Sequence, residues 1–178
     1  MNNFLEVIKF SENIYNLNSI IRYNFMFKVI PESVSAHSFQ CALISLKLYE
    51  EYKADFKLDL NKMILMSLLH DVPEIKTGDL PYLLKKENKE LKKIVNDCEE
   101  KYMRELFSED IFKLFLEYNA KSSVESILVK ISDVLSSYVY AKQELNMGNK
   151  NFDRVIKNCE DDLIALGEKL NSFKIKNA

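Results

Sequence analysis

The chain has 178 residues and a formal net charge of −2, with 47% hydrophobic and 29% charged residues. This length suits one domain around a single core, and the composition excludes a disordered or fibrous protein. The slight negative charge excludes the basic field that attracts phosphate backbones and anionic lipid, so we expect neither nucleic acid nor a membrane as a partner.

Only three glycines and three prolines interrupt the chain, and apolar residues recur at three- and four-residue spacing. This pattern predicts an all-α bundle of six to seven helices in one domain, residues 1–178. Asp59 and Ser108 are predicted N-caps, and Gly148 is a predicted stop. Segments 18–35 and 72–85 contain all the prolines and are predicted to be irregular. In chain order, the predicted helices span 3–17, 36–53, 60–71, 86–106, 109–118, 122–147 and 151–171.

The cysteines and the apolar stretches indicate in which cellular compartment the protein is expected. The three cysteines are widely spaced and form no CxxC pair, which is typical of a reducing environment. Residues 1–16 interrupt their apolar residues with Glu6, Lys9 and Glu12, unlike a signal peptide. The apolar stretch 63–69 is far shorter than the ~20 residues that cross a bilayer. We therefore expect a cytoplasmic protein.

Both histidines of the chain stand at the ends of helical patterns: His37 begins one and His70 ends another. A lone histidine in such a place is usually a packed residue with a satisfied ring nitrogen. Asp71 changes this interpretation, because an acid directly after His70 at a buried helix end needs a cation or dense hydrogen bonding. A divalent metal held by His70 and Asp71 is the economical source of that charge.

Further metal ligands must come from other helices, and His37 and Asp133 are the candidates. Asp133 is a single acid on a largely apolar helical face, where it needs a partner. An ion pair with Lys130, three residues earlier, explains Asp133 as well as metal ligation does when the residue is taken alone.

The order of these residues resembles the signature of the HD-domain phosphohydrolases: a distant His, an adjacent His-Asp pair and a later Asp. More narrowly, the chain is similar to the bacterial 5′-deoxynucleotidase family. That family carries an Arg-aromatic pair, a Val-Ser-x-His-Ser run, and His-Asp-x-x-Glu followed by Thr-Gly-Asp-Leu-Pro. The matching segments here are 22–23, 34–38, 70–74 and 77–81.

The resemblance implies an HD-type helical bundle in which a metal-activated water removes the 5′-phosphate of (deoxy)nucleoside monophosphates. The implied metal ligands leave open positions on an octahedral ion, which suits Mn²⁺, Co²⁺ or a similar first-row ion better than a closed zinc site. Relatives are usually homodimers, so we expect a homodimer. The implied ligands are His37, His70, Asp71 and Asp133.

Catalytic roles are expected for two acids near the metal site. Glu74 follows His70 by about one helical turn and is expected to orient or deprotonate the attacking water, the alternative being a surface acid that opens a loop. Asp79 is expected to protonate the leaving 5′-oxygen or to hold the sugar. Thr77 is interpreted as a turn residue.

Substrate contacts are expected from Arg22, Tyr23 and Lys85. Arg22 offers a fork that fits a phosphate dianion, the alternative being a surface ion pair. Tyr23 stands where the family usually has tryptophan; it packs on the sugar or base, or in the core, and its smaller ring is expected to relax deoxynucleotide preference. Lys85 is expected to attract phosphate, while residues 86–93 are interpreted as a solvated helix face. Pro73, a second departure from the family, is expected only to alter where the helix ends.

Three other functions compete with this hypothesis. One is an HD phosphohydrolase that acts on a nucleoside di- or triphosphate or a signalling nucleotide. Another is a metal- or nucleotide-binding regulator without catalysis, which Glu74 and Asp79 argue against because a binding module needs neither. The third is a helical scaffold with an accidental His-Asp pair.

Overall fold

The computed structural model describes residues 2–176, with side chains over 4–81 and 84–174. Within this range the chain forms nine α-helices, and its only β-pairing is an isolated bridge between Ile21 and Ser33. The predicted all-α class is confirmed. The helices are α1 (Asn2–Tyr15), α2 (Val34–Tyr52), α3 (Leu60–Leu69), α4 (Glu74–Thr77), α5 (Tyr82–Glu87), α6 (Lys89–Leu106), α7 (Glu109–Ala120), α8 (Val124–Asn146) and α9 (Asp153–Lys176).

The bundle is organised around α8, which packs against α2, α3, α7 and α9. Apolar side chains from α3, α7, α8 and α9 form the larger core cluster, and each such side chain contributes about 1.5–3 kcal/mol on full burial. Because α2, α3 and α8 pack closely together, polar residues on their facing sides are enclosed by the bundle. Fully buried members of this core include Met63, Met66, Ile127, Leu128 and Val129.

The three predicted helix boundaries lie where the sequence placed them, and one of the two predicted N-caps makes a side-chain hydrogen bond. The Asp59 carboxylate accepts a hydrogen bond from the Lys62 amide at 3.1 Å and begins α3, as predicted. Gly148 follows the end of α8 with φ of +91°, a conformation that favours glycine. Ser108 occupies the N-cap position of α7, as predicted, but its side chain makes no capping hydrogen bond.

Two helices exceed the six to seven predicted because segment 72–85 is not wholly irregular. The short helices α4 and α5 each begin directly after a proline, which is tolerated at a helix start because it needs no amide donor there. The predicted helix 86–106 is also divided at Asn88, whose side chain accepts a hydrogen bond from the Leu91 amide and begins α6. None of the helices in the described range is long and apolar enough to cross a membrane.

Candidate metal centre and its two cavities

His70 lies at the end of α3 and presents one ring nitrogen for ligation. Its Nδ1 lies 2.8 Å from the Ser67 carbonyl oxygen and donates to it, which leaves the lone pair on Nε2. Nε2 is buried and has no hydrogen-bond partner among the residues described. The Asp71 Oδ2 atom lies 3.1 Å from it, an ion-pair distance without hydrogen-bond geometry. An unsatisfied buried imidazole nitrogen beside a carboxylate fits a metal ligand.

The other predicted ligands lie around the same point. His37, fully buried in the first turn of α2, places Nε2 3.1 Å from Asp133 Oδ1 on α8 and 3.7 Å from Asp71 Oδ2. The rings of His37 and His70 have centroids 5.4 Å apart. The four side chains predicted to bind metal therefore lie together, on α2, on α8 and at the end of α3.

Cys41 is a member of this cluster that the sequence reasoning missed. Its Sγ atom lies 3.4 Å from His37 Nε2. One ligand atom each from His37, Cys41, His70 and Asp133 all lie within 4.8 Å of one another. The available signal was spacing, because Cys41 is four residues after His37 and so occupies the same face of α2.

Asp133 forms the ion pair with Lys130 that the sequence offered as the alternative to metal ligation, and it also faces the cluster. Its Oδ2 accepts a hydrogen bond from Lys130 Nζ at 2.6 Å and one from the Tyr118 hydroxyl at 3.1 Å, while Oδ1 faces His37. Burial alone would raise the pKa of Asp133, but the Lys130 ammonium and the His37 hydrogen bond hold this pKa well below its usual value. Asp133 is therefore a carboxylate at neutral pH.

Glu74, the first residue of α4, is a buried acid rather than a surface one. Its Oε2 has no hydrogen-bond partner in the part of the chain that the structure describes. Burial raises the pKa of Glu74 to about 9, and the Asp71 and Asp79 carboxylates add to the rise. A strongly perturbed acid in a cavity is typical of a functional group.

Arg22 forms an ion pair with Glu32, and this pair is buried, whereas the alternative drawn from the sequence was a surface ion pair. Nη1 donates to Glu32 Oε2 at 2.6 Å and lies 3.0 Å from His37 Nδ1, and Nη2 donates to Ser137 Oγ at 2.9 Å. Burial lowers the pKa of Arg22, but nearby Tyr23 and Glu32 raise it by more. The guanidinium is therefore a fixed positive charge beside the imidazoles.

Tyr23 packs against core aromatic residues and also forms part of a cavity wall. Its ring stacks on Tyr140 at a centroid distance of 5.7 Å, meets Phe152 edge-on at 5.4 Å, and also lines a cavity. Its backbone has φ of +53°, which is uncommon for an aromatic residue and costs about 1–2 kcal/mol. The Tyr23 amide donates to Asp79 Oδ2 at 2.5 Å, so Asp79 helps to hold this conformation.

Two cavities meet at the cluster. The first, about 390 Å³, is lined by Arg22 and Asp79 together with apolar side chains such as Tyr23, Phe25 and Met26. The second, about 680 Å³, is lined mainly by polar and charged residues, including seven lysines. We call them the aromatic cavity and the lysine cavity. Their shared walls are Asp71, Glu74, Lys85, Lys130, Asp133 and Asp162.

Histidine and carboxylate side chains that meet between packed helices, beside a cavity with a buried acid, are what phosphoryl hydrolysis at a divalent ion requires. The fold and the site together define an HD-domain phosphohydrolase.

Comparison with known proteins gives the family. The sequence profile of the YfbR-like 5′-deoxynucleotidases matches residues 9–175. The chain is 32% identical over 168 residues to a 5′-deoxynucleotidase of Photobacterium profundum, a match that covers 89% of this chain and 86% of that protein. The chain therefore belongs to the YfbR-like 5′-deoxynucleotidase family.

Solved structures confirm the HD-type fold. An HD-domain phosphohydrolase from Listeria innocua superposes with a TM-score of 0.78 at 21% identity, covering 92% of this chain and 82% of that one. The cyanophage S-2L HD phosphohydrolase, bound to dA and one catalytic Zn²⁺ ion, superposes with a TM-score of 0.62 at 16% identity, covering 94% and 95%.

Proposed function

We propose that this protein is a metal-dependent 5′-nucleotidase that releases phosphate from nucleoside 5′-monophosphates, deoxynucleotides included. One observation carries the proposal: the buried cluster of imidazoles and carboxylates lies where the aromatic cavity and the lysine cavity meet. The aromatic cavity suits a nucleoside, since rings and apolar walls can cover a base and a sugar. If the base and sugar of a nucleoside monophosphate lie in this cavity, its 5′-phosphate would lie at the cluster.

The residues present fit a divalent ion. We propose that His37, His70, Asp71 and Asp133 hold it, a role supported by the unsatisfied Nε2 of His70 and by the short distances within the cluster. When bound, such an ion supplies charge that polarises the phosphoryl group and lowers the pKa of both water and nearby acids. Mn²⁺, Co²⁺ or a similar first-row ion suits the two imidazoles and two carboxylates.

His37 and Arg22 must change partners together. Arginine can only donate, so in the described arrangement His37 Nδ1 accepts from Arg22, and Nε2 carries the proton that faces Asp133. Ligation through Nε2 requires the proton on Nδ1, where the Ser136 hydroxyl at 3.1 Å can accept it. Arg22 would then turn its fork towards the aromatic cavity that it already lines, and there bind the substrate phosphate.

Glu74 and Asp79 divide the proton transfers in this proposal. Glu74 borders both cavities, and without an ion its raised pKa of about 9 keeps it protonated at neutral pH. The charge of a bound ion would lower this pKa, and the resulting carboxylate would take the proton of the attacking water. Asp79 lies on the aromatic cavity beside Tyr23, where it protonates the leaving 5′-oxygen or holds the sugar. Lys85 borders both cavities and attracts the phosphate.

The test is phosphate release from a panel of nucleoside 5′-monophosphates after each divalent ion is added to metal-free protein. Phosphate release only in the presence of an ion supports the proposal. No release with any combination of nucleotide and ion overturns it. Glu74→Gln should retain metal while turnover falls roughly 10²-fold or more. Glu99→Gln is the matched control, because Glu99 lines the lysine cavity but has no proposed role in the reaction. Full activity in Glu74→Gln would remove the proposed role of Glu74.

The cytoplasmic location and the homodimer also stay predictions. Light scattering of the purified protein, which gives its mass in solution directly, tests the second.

A further inference from the structure

The lysine cavity carries more positive charge than the reaction at the cluster explains. Its lysines come from α5, α6, α8, α9 and the residue that ends α7, so distant parts of the chain meet there. Two of these lysines, Lys85 and Lys130, also line the aromatic cavity, and Lys86 directly follows Lys85 in sequence. The other four line the lysine cavity away from the shared walls. The seven are Lys85, Lys86, Lys89, Lys92, Lys121, Lys130 and Lys169.

Their charges are only partly compensated. Lys130 is paired with Asp133. The side-chain ammonium groups of Lys92, Lys121 and Lys169 make no ion pair or hydrogen bond with any residue that the structure describes. The acids that line this cavity are Asp71, Glu74 and Asp133 at the cluster, together with Glu99 and Asp162.

The lysines also repel one another. The pKa of Lys121 is lowered, first by burial and then by the charges of Lys130, Lys169 and Lys92. Lys92, Lys121 and Lys169 line one cavity, and the carboxylate that attracts Lys121 is Asp133, which is already paired with Lys130. An anion in that cavity would relieve the repulsion and gain the attraction of all three.

We propose that the lysine cavity is a second oxyanion site, adjoining the metal centre, that binds a phosphate group. Because it meets the aromatic cavity at shared walls, a phosphate released at the cluster can enter the lysine cavity without passing the nucleoside. The same chemistry would hold the terminal phosphate of a nucleoside diphosphate. The first source rests on the proposed function, whereas binding of phosphate itself does not.

The four lysines of residues 86–93 are exposed, as the solvated-face interpretation predicted, and three of them also line the lysine cavity. Lys86, Lys89 and Lys92 recur every three residues and line the cavity, whereas Lys93 does not. Lys89 and Lys92 are three residues apart in α6 and so share one helical face, whereas Lys86 reaches the cavity from α5.

The test compares wild-type protein with the triple variant Lys92→Gln, Lys121→Gln and Lys169→Gln, both loaded with metal. Calorimetric titration with inorganic phosphate should show affinity about ten- to a hundredfold weaker in the variant, because three attractions of moderate strength are lost. The salt dependence of phosphate binding should fall as well. Affinity for the nucleoside product should be unchanged.

The control is Lys9→Gln, Lys57→Gln and Lys157→Gln, which changes the net charge equally at exposed positions outside both cavities. Equal phosphate affinity in the two triple variants would overturn the proposal. Thermal unfolding without phosphate shows that each variant is folded.

A second arm identifies the source of the phosphate. Titration with a nucleoside diphosphate and with the matching monophosphate should show a larger loss for the diphosphate in the lysine variant if the cavity takes a terminal phosphate. A loss confined to free phosphate assigns the cavity to the product. Phosphate binding is measured without turnover. If the wild-type protein shows no activity but the lysine variant still binds phosphate more weakly, the proposed function is contradicted and the phosphate site is not.

Discussion

Replacement of His70 by asparagine separates metal binding from folding. The asparagine amide can still donate to the Ser67 carbonyl in place of His70 Nδ1, whereas nothing replaces Nε2. Because Nε2 has no hydrogen-bond partner in the described part of the chain, its loss removes no hydrogen bond from the metal-free protein. We therefore expect the free energy of unfolding of the metal-free variant to lie within about 1–2 kcal/mol of the wild-type value, the difference coming from the smaller side chain and the lost contact between Nε2 and the Asp71 carboxylate.

Metal should stabilise the two proteins very differently. An ion at one hundred times its Kd stabilises the native state by about 2.7 kcal/mol, and this corresponds to a rise in Tm of roughly 5–11 °C for a domain of this size. If the loss of His70 as a ligand weakens metal binding about a hundredfold, the same ion concentration would be close to the new Kd. The stabilisation then falls to about 0.4 kcal/mol, or roughly 1 °C in Tm.

The assay is thermal unfolding with and without Mn²⁺ or Co²⁺. Glu144→Gln is the control, because Glu144 is fully buried on α8 and accepts hydrogen bonds from the amides of residues 29–30 and from Asn149. This control should have a lower Tm and a metal-induced rise equal to that of wild type. An equal rise in His70→Asn, or none in wild type, would refute the metal assignment of His70.

Three further predictions follow from single contacts. Burial raises the pKa of Glu144, but its amide donors hold this pKa below the usual 4.5. Glu144→Gln should therefore lower the free energy of unfolding by about 2 kcal/mol at neutral pH. This loss should shrink as the pH falls below 4.5, because Glu144 then becomes protonated in the wild-type protein. Cys41→Ser should weaken Zn²⁺ binding about tenfold and leave Mn²⁺ binding nearly unchanged, since thiolates favour softer ions; equal effects would exclude ligation by Cys41. Tyr23→Trp should raise the ratio of deoxy- to ribonucleotide turnover, and an equal ratio would show that Tyr23 does not contact the sugar.

The helices that hold the cluster could be predicted from sequence because their apolar periodicity is strong. His37, His70 and Asp133 each interrupt or end such a pattern, and polar residues there must be enclosed when the helices pack. Asp71 could be found because it follows His70 directly. Helix periodicity and the cost of burying a charge made these positions candidates, and the resemblance to the HD-domain phosphohydrolases selected them as metal ligands.

Other features depend on tertiary placement that the periodicity does not contain. Cys41 reads as an ordinary core residue of α2 on the same face as His37, and only the position of α8 and the end of α3 brings Asp133 and His70 to its sulfur. Lys121 and Lys169 lie on different helices from Lys92, and no local pattern indicates that they meet. The short helices α4 and α5 were missed because prolines were interpreted as breaks rather than as helix starts.

The contact between Arg22 and His37 links the two halves of the proposed site. Arg22 Nη1 lies near His37 Nδ1 only while that nitrogen is an acceptor, and the same nitrogen must carry the proton when Nε2 is a ligand. A ligated His37 would therefore repel the guanidinium and favour its turn towards the phosphate. Metal loading and the phosphate affinity of Arg22 should consequently be coupled, with the ion bound before the substrate. This order would also keep Arg22 in its buried pair with Glu32 whenever the ion is missing.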